Sequence, residues 1–223
     1  MILECGPKHD RRTLSLALPN IINLENKLIQ NLYNKVNRLV SGNEIGILIS
    51  GGIDSAILYF LLIKENMNTG NRFNITPFTM LRKEGSRYYA NGVINWIHSY
   101  YGLPTIDLNL IGDNTLPEIQ QVESAVTEVL HRQVDYVYLG IIESRPEHSI
   151  NWTRHKFKET FNRKYPFLNL QKSHVIDLYI QFNLFGLLQL THSCAINEQV
   201  KCGYCNGCNE RAWGLQEMNI FYD

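Results

Sequence analysis

The run Ile45-Gly46-Ile47-Leu48-Ile49, followed at once by Ser50-Gly51-Gly52-Ile53-Asp54-Ser55, constrains this chain more than any other feature. An uncharged, isoleucine-rich run of this length reads as a buried strand. It ends in two glycines and feeds the apolar stretch Ala56-Ile57-Leu58-Tyr59-Phe60-Leu61-Leu62, which predicts strand, tight turn and helix. Glycine permits positive φ and lets a ligand approach the main chain closely. A helix N-terminus at the end of such a turn presents N–H groups to a phosphate. Ser50 and Ser55 add hydroxyls, and Asp54 can cap the helix or hold a metal. The lysine of a Walker-type loop is absent, which excludes that class. The competing reading is an ordinary turn punctuated by Gly and Ser.

The 223 residues fit one large α/β domain with room for a small appendage. Lys+Arg and Asp+Glu are both 21, and a zero net charge argues against a non-specific nucleic-acid binder. The first residues, Met1-Ile2-Leu3-Glu4-Cys5, lack the basic and long apolar regions of a secretory signal. No stretch approaches the roughly 18 apolar residues of a membrane span. The expected compartment is the cytoplasm, where thiols stay reduced.

Residues 19–40 carry apolar side chains at helical spacing (Ile21, Leu24, Leu28, Ile29, Leu32, Val36, Leu39) and predict a helix that packs on the sheet or on a partner subunit. Strands are predicted over 45–49, 75–80, 105–110 and 134–142, with helices after the glycine turn, over 87–101, and from Pro117 through Leu130. Strand and helix alternate with connections long enough for parallel crossovers, so a doubly wound parallel α/β sheet is expected. The Ser50 loop then lies beyond the carboxyl ends of the strands, where such sheets bind ligands. The segments 1–44, 45–190 and 191–223 read as an N-terminal arm and helix, the nucleotide domain and a metal-binding tail.

Cys194, Cys202, Cys205 and Cys208 fall within fifteen residues, as C-x7-C-x2-C-x2-C. Four thiolates so spaced on tight turns can converge on one tetrahedral ion. Zinc there would be structural and coupled to folding of the tail. An iron–sulfur cluster is the alternative, although the usual Cys-Pro is missing; disulfides do not suit a reducing compartment. His192 is either a substitute ligand or a hydrogen-bonded histidine, and Cys5 reads as a lone buried thiol.

Ser50-Gly51-Gly52-Ile53-Asp54-Ser55 resembles the pyrophosphate loop (PP-loop) of the N-type ATP pyrophosphatases. With the cysteine spacing it resembles the 7-cyano-7-deazaguanine synthase family within that superfamily. Thr191-His192-Ser193-Cys194 and Cys208-Asn209-Glu210-Arg211-Ala212 look like that family's tail, Gln171-Lys172-Ser173-His174-Val175-Ile176 like its lysine-bearing helix start, and Arg145-Pro146-Glu147 like the segment after its fourth strand. The likeness covers roughly 45–219, strongly at the two motifs. Three segments differ: Thr79-Met80-Leu81-Arg82-Lys83-Glu84 replaces a Tyr-Gly-Gln type stretch, 111–133 lacks an Arg-Asn insertion, and the Gly-Tyr-Pro-Asp before Arg-Pro-Glu is absent.

The resemblance implies an adenine nucleotide alpha hydrolase-like, Rossmann-type fold with a C-terminal zinc knuckle. It also implies ATP and Mg²⁺ at residues 50–55, Zn²⁺ on the four cysteines, and a small carboxylate substrate with ammonia. The activity implied is conversion of 7-carboxy-7-deazaguanine, or a related acid, to an amide and nitrile on the queuosine precursor route. Asp54 and Lys172 are the two expected catalytic residues, Lys172 meeting phosphate charge or else standing solvated at its helix start. Arg145 and Glu147 are expected on the substrate side or paired with each other, and Arg211 either reaches a phosphate or holds carbonyls of the knuckle. Two other functions are open: a tRNA-thiolating relative, and a binding protein without synthase activity. A homodimer through residues 19–40 is a further expectation.

Overall fold

The computed structural model describes residues 44–81, 87–116, 118–142, 159–168, 170–197 and 199–220. The expected N-terminal helix and any dimer contact through it, Cys5, Pro117, Arg145 and Glu147 lie outside these residues. Five strands, β1 (Glu44–Leu48), β2 (Asn74–Met80), β3 (Asn109–Ile111), β4 (Tyr136–Leu139) and β5 (Arg163–Lys164), form one parallel sheet in the order β3-β2-β1-β4-β5. The helices are α1 (Ile53–Asn68), α2 (Arg87–Tyr101), α3 (Glu118–His131), α4 (Lys172–Gln181), α5 (Phe185–Leu190) and α6 (Asn206–Glu217). This is the expected doubly wound α/β arrangement.

Alternation along the strands builds two cores. Ile45, Ile47 and Ile49 of the β1 segment join Tyr136 and Tyr138 under α1, α2, α4 and α5. Leu48, Phe78, Met80, Val137 and Leu139 face the other way, onto Ala125, Val126 and Val129 of α3. Two covered faces are the reason β1 and β4 read as nearly continuous apolar runs. Helix α1 is buried on most sides, from Ile53 through Ile63, which fits its lack of a polar face. Each large aliphatic side chain so covered contributes about 1.5–3 kcal/mol.

Three strand expectations need correction. The third strand is Asn109–Ile111 rather than 105–110. Pro77 of β2 lacks an N–H, and its carbonyl points toward β3, where it accepts from Asn109 Nδ2 at 3.3 Å. Ladder pairing on that side therefore starts only at Phe78 with Asn109. The fourth strand is Tyr136–Leu139 rather than 134–142. Asp135 ends it on one side, its N–H donating to Glu44 O (2.8 Å) while its Oδ2 accepts from Glu44 N (3.0 Å). Strand β5 was not anticipated, since two consecutive cations, Arg163 and Lys164, give no apolar signal at this sheet edge. Among the described residues no helix is long and apolar enough to cross a membrane.

Candidate nucleotide and metal sites

The chain leaves β1, the central strand, and turns into α1 where the strand order reverses between β1 and β4. A doubly wound sheet opens its ligand crevice at that point. Gly51 bends the turn with φ +77°, and a Cβ there would stand 2.7 Å from Tyr89 Cβ and Ala90 N, so the start of α2 closes on a bare main chain. The two serines hold the turn's shape. Ser50 N donates to Ser55 Oγ (3.1 Å), the two hydroxyls are 3.1 Å apart, and Ser50 Oγ accepts from Gly52 N at 3.3 Å. Gly52 is the N-cap and supplies no side-chain cap, so the first intrahelical bond is Ala56 N to Gly52 O at 3.1 Å. Among the described residues no acceptor meets the N–H groups of Gly51, Ile53, Asp54 or Ser55. Four such amides at a helix N-terminus have the arrangement of an anion cradle, the name used for them below.

Gly140, just past β4, forms the cradle's far wall. A Cβ on it would lie 2.8 Å from Asp54 C and Ser55 N. Sequence reasoning passed over this residue, although a glycine where the fourth strand should reach the crevice was the available signal.

Lys172 and Asp54, each expected to be catalytic but not expected to meet, are brought together. Lys172 begins α4 and its Nζ donates to Asp54 Oδ1 (2.8 Å) and Oδ2 (2.6 Å), with Glu210 Oε2 at 3.9 Å. The lysine side chain is only 6% exposed and the aspartate 20%, so neither is the solvated surface charge that was the alternative for Lys172. Gln171 caps this helix reciprocally with His174, fixing where Lys172 emerges. Below the pair, Tyr179 donates its hydroxyl to Ile53 O at 2.6 Å, and burial followed by the Asp54 charge drives its ionisation well up. Tyr179 therefore stays a neutral post under the first turn of α1.

The sulfurs of Cys194, Cys202, Cys205 and Cys208 all lie within 4.8 Å of one another. Cys194 to Cys205 and Cys202 to Cys208 are each 4.0 Å apart, and all four are free thiols. A tetrahedral ion with metal–sulfur bonds of about 2.3 Å sets its sulfurs about 3.8 Å apart. A four-iron cubane needs its thiolates spread to roughly 6 Å. The set therefore suits a single metal ion. Burial opposes ionisation of Cys194, but the backbone N–H groups of Cys202, Ile196 and Asn197 outweigh it and draw the thiol to about 6. Burial and the neighbouring thiols push Cys208 up to about 12.

His192 is not among the ligands. Its ring stacks on Tyr89 with centroids 4.2 Å apart and 8° between planes, and Nε2 lies 2.8 Å from Asn197 O. Arg211, midway along α6, is buried and donates Nη1 to Thr191 O (2.9 Å) and Oγ1 (2.8 Å) and Nη2 to Leu188 O (2.9 Å). It holds carbonyls, as one of its two expected roles had it, but those at the end of α5 rather than those of the cysteine knuckle. Tyr89 and Glu210 gave no signal in the sequence, because their partners are set by tertiary packing.

No curated protein sequence matches the chain. Among solved structures, the NMN synthetase of Francisella tularensis superposes with a TM-score of 0.55 at 15% identity, covering 91% of this chain and 88% of its own. The NAD+ synthetase of Burkholderia pseudomallei superposes at 0.50 with 13% identity, over 99% and 86%. The fold is thus the Rossmann-like α/β fold that these two synthetases share. Residues 143–219, which hold Lys172 and the four cysteines but not the Ser50 loop, match the family described as "Queuosine biosynthesis protein QueC", the family that the cysteine spacing resembles.

Proposed function

We propose that this chain is an ATP-dependent ligase of the 7-cyano-7-deazaguanine synthase type. It adenylates 7-carboxy-7-deazaguanine, or a related acid, and converts the carboxylate with ammonia to an amide and then a nitrile. The observation that carries this reading is the cradle of amides of Gly51, Ile53, Asp54 and Ser55, which meet no acceptor among the described residues and stand beside the Lys172–Asp54 pair. The family match over residues 143–219 supplies the choice of acceptor.

A carboxylate is a poor electrophile, since its leaving group is oxide. Its oxygen attacks the ATP α-phosphorus, and the α–β phosphoanhydride breaks to give an acyl-adenylate and pyrophosphate. The amides of Gly51, Ile53, Asp54 and Ser55 hold the departing pyrophosphate, and fixed donors of this kind favour developing negative charge. Lys172 adds one positive charge beside them. Asp54 is the residue suited to Mg²⁺, which offsets phosphate charge. Ammonia then displaces AMP and loses a proton, leaving the amide. A second ATP adenylates the amide oxygen as its α–β bond breaks and a second pyrophosphate leaves, and loss of AMP with the nitrogen's two protons leaves the nitrile.

The metal is zinc in this proposal, held by Cys194, Cys202, Cys205 and Cys208. Four thiolates leave no open position, so its role is to fix the tail rather than to activate water. Mass spectrometry of products from ATP, Mg²⁺, ammonium and 7-carboxy-7-deazaguanine tests the reaction. Loss of 19 mass units overall is not required at the first stage; amide or nitrile with AMP and pyrophosphate supports the proposal, and absence of both products with retained zinc overturns the acceptor. Visible absorbance near ~400 nm would instead favour an iron–sulfur, thiolating enzyme.

A further inference from the structure

His192 stands between the anion cradle and the thiolate cluster, touching the first directly and the second through Asn197. Its main-chain N–H donates to Gly51 O at 2.9 Å. A Cβ placed on Gly52 would lie 3.6 Å from His192 O. Its ring lies flat on Tyr89, whose own backbone closes on Gly51. On the other side Nε2 is 2.8 Å from Asn197 O, and since a carbonyl only accepts, Nε2 carries the proton of that bond. Asn197 in turn donates its N–H to Cys194 Sγ at 3.3 Å. An unbroken series of contacts runs from a metal-binding sulfur to the peptide that bends the loop.

We propose that His192 is a positioning residue for the anion cradle: by clamping Gly51 between Tyr89 and the thiolate knuckle, it sets the aim of the loop amides and so the affinity for pyrophosphate. This rests on the reading of the loop as a pyrophosphate site. Gly51 sits at φ +77°, where glycine has more backbone freedom than any other residue. Amides bind an anion well only if they already point at it, and a loop that must be ordered on binding loses affinity by that cost. The loop's serine bonds hold Ser50, Gly52 and Ser55, whereas the Gly51 carbonyl is held from outside, by His192. The ring stack keeps that outside strand in register with α2, and the Asn197 bond keeps it in register with the knuckle.

The test is calorimetric titration of the full-length, metal-loaded protein with magnesium pyrophosphate, with bound metal quantified in each sample. His192→Ala is expected to weaken binding about fivefold to tenfold with metal content unchanged, and His192→Phe, which keeps a ring on Tyr89, to restore most of it. Tyr89→Ala removes the other half of the stack, and the double variant is expected to be no weaker than either single change, because the two rings act as one contact. Hydrogen exchange at residues 51–55 is expected to quicken in His192→Ala. Wild-type affinity in His192→Ala overturns the proposal. Should that variant lose its metal, Tyr89→Ala decides, and unchanged affinity there overturns it as well. If wild type itself binds no pyrophosphate, the reading of the loop falls and this proposal falls with it, a result distinguishable because it appears without any substitution.

Discussion

Lys172 Nζ bonds both carboxylate oxygens of Asp54, at 2.8 and 2.6 Å, across 118 positions of sequence. The pair joins the first turn of α4 to the first turn of α1, beside the loop amides. Lys172→Met leaves Asp54 without its cation. Breaking a fully buried pair costs about 3–5 kcal/mol, and the partial exposure of Asp54 reduces that to about 1–3. Pyrophosphate release is expected to fall about 10²–10³-fold, the usual consequence of removing one charge-stabilising donor. Lys172→Arg is not expected to rescue it, since a planar guanidinium cannot replace a point charge in so enclosed a place. Urea midpoints and a pyrophosphate-release assay check both statements, and near-normal release from Lys172→Met would remove the lysine from the mechanism.

Gly140→Ala tests the far wall of the cradle. The new Cβ would stand 2.8 Å from Asp54 C and Ser55 N and 3.0 Å from Asp54 O. These are backbone atoms, so no side chain can rotate out of the way, and the loop itself must shift. Overpacking of this kind costs about 1–3 kcal/mol. Nucleotide binding is expected to suffer more than stability, because the displaced groups are the amides proposed to hold phosphate. Calorimetry with a non-hydrolysable ATP analogue, read beside thermal unfolding, separates the two effects; a destabilised variant that binds normally would count against a tight wall.

The strand, glycine bend and helix of residues 45–62 were legible because burial on two faces and a bend without side chains each leave a mark in local sequence. The cysteine cluster was legible by spacing alone. Lys172 could be singled out only through the family resemblance, since one lysine among ordinary neighbours has no periodicity. Its contact with Asp54 depends on α4 crossing α1, which no local pattern records. Strand β5 escaped for a different reason. Arg163 and Lys164 pair by main chain at a solvent-facing edge, where side-chain hydrophobicity is irrelevant to the bond. The short β3 could have been read from Pro77, whose missing N–H limits pairing on that side of β2.

Gly214→Ala probes how α6 governs Lys172. A Cβ on Gly214 would lie 2.8 Å from Lys172 Cγ and from Ile176 Cδ1. Replacing a mid-helix glycine by alanine stabilises a helix by about 1 kcal/mol, while the clash costs about 1–3. The two nearly cancel in global stability. They do not cancel at the site, because relief of the clash moves the lysine stem and draws Nζ away from Asp54. Thermal unfolding is expected to change little and pyrophosphate release to fall about tenfold. Unchanged release would show that the stem yields without moving its charge.

Metal uptake by the four thiols should depend on pH with a definite sign. A metal binds thiolates, so every thiol still protonated in the apo state releases a proton on binding. Cys194, drawn down to about 6 by backbone N–H groups that overcome its burial, is already ionised at neutral pH. Cys208, pushed to about 12 by burial and neighbouring thiols, is not. Apparent affinity is therefore expected to rise at least about tenfold per pH unit through neutrality, from the Cys208 proton alone. Below about 6 Cys194 also gains a proton, and the dependence should steepen. Competition against a chromophoric zinc chelator between pH 5 and 8 measures the slope. Cys194→Ser should abolish tight binding and with it the steepening, and an affinity flat in pH would mean that the thiols are not the ligands.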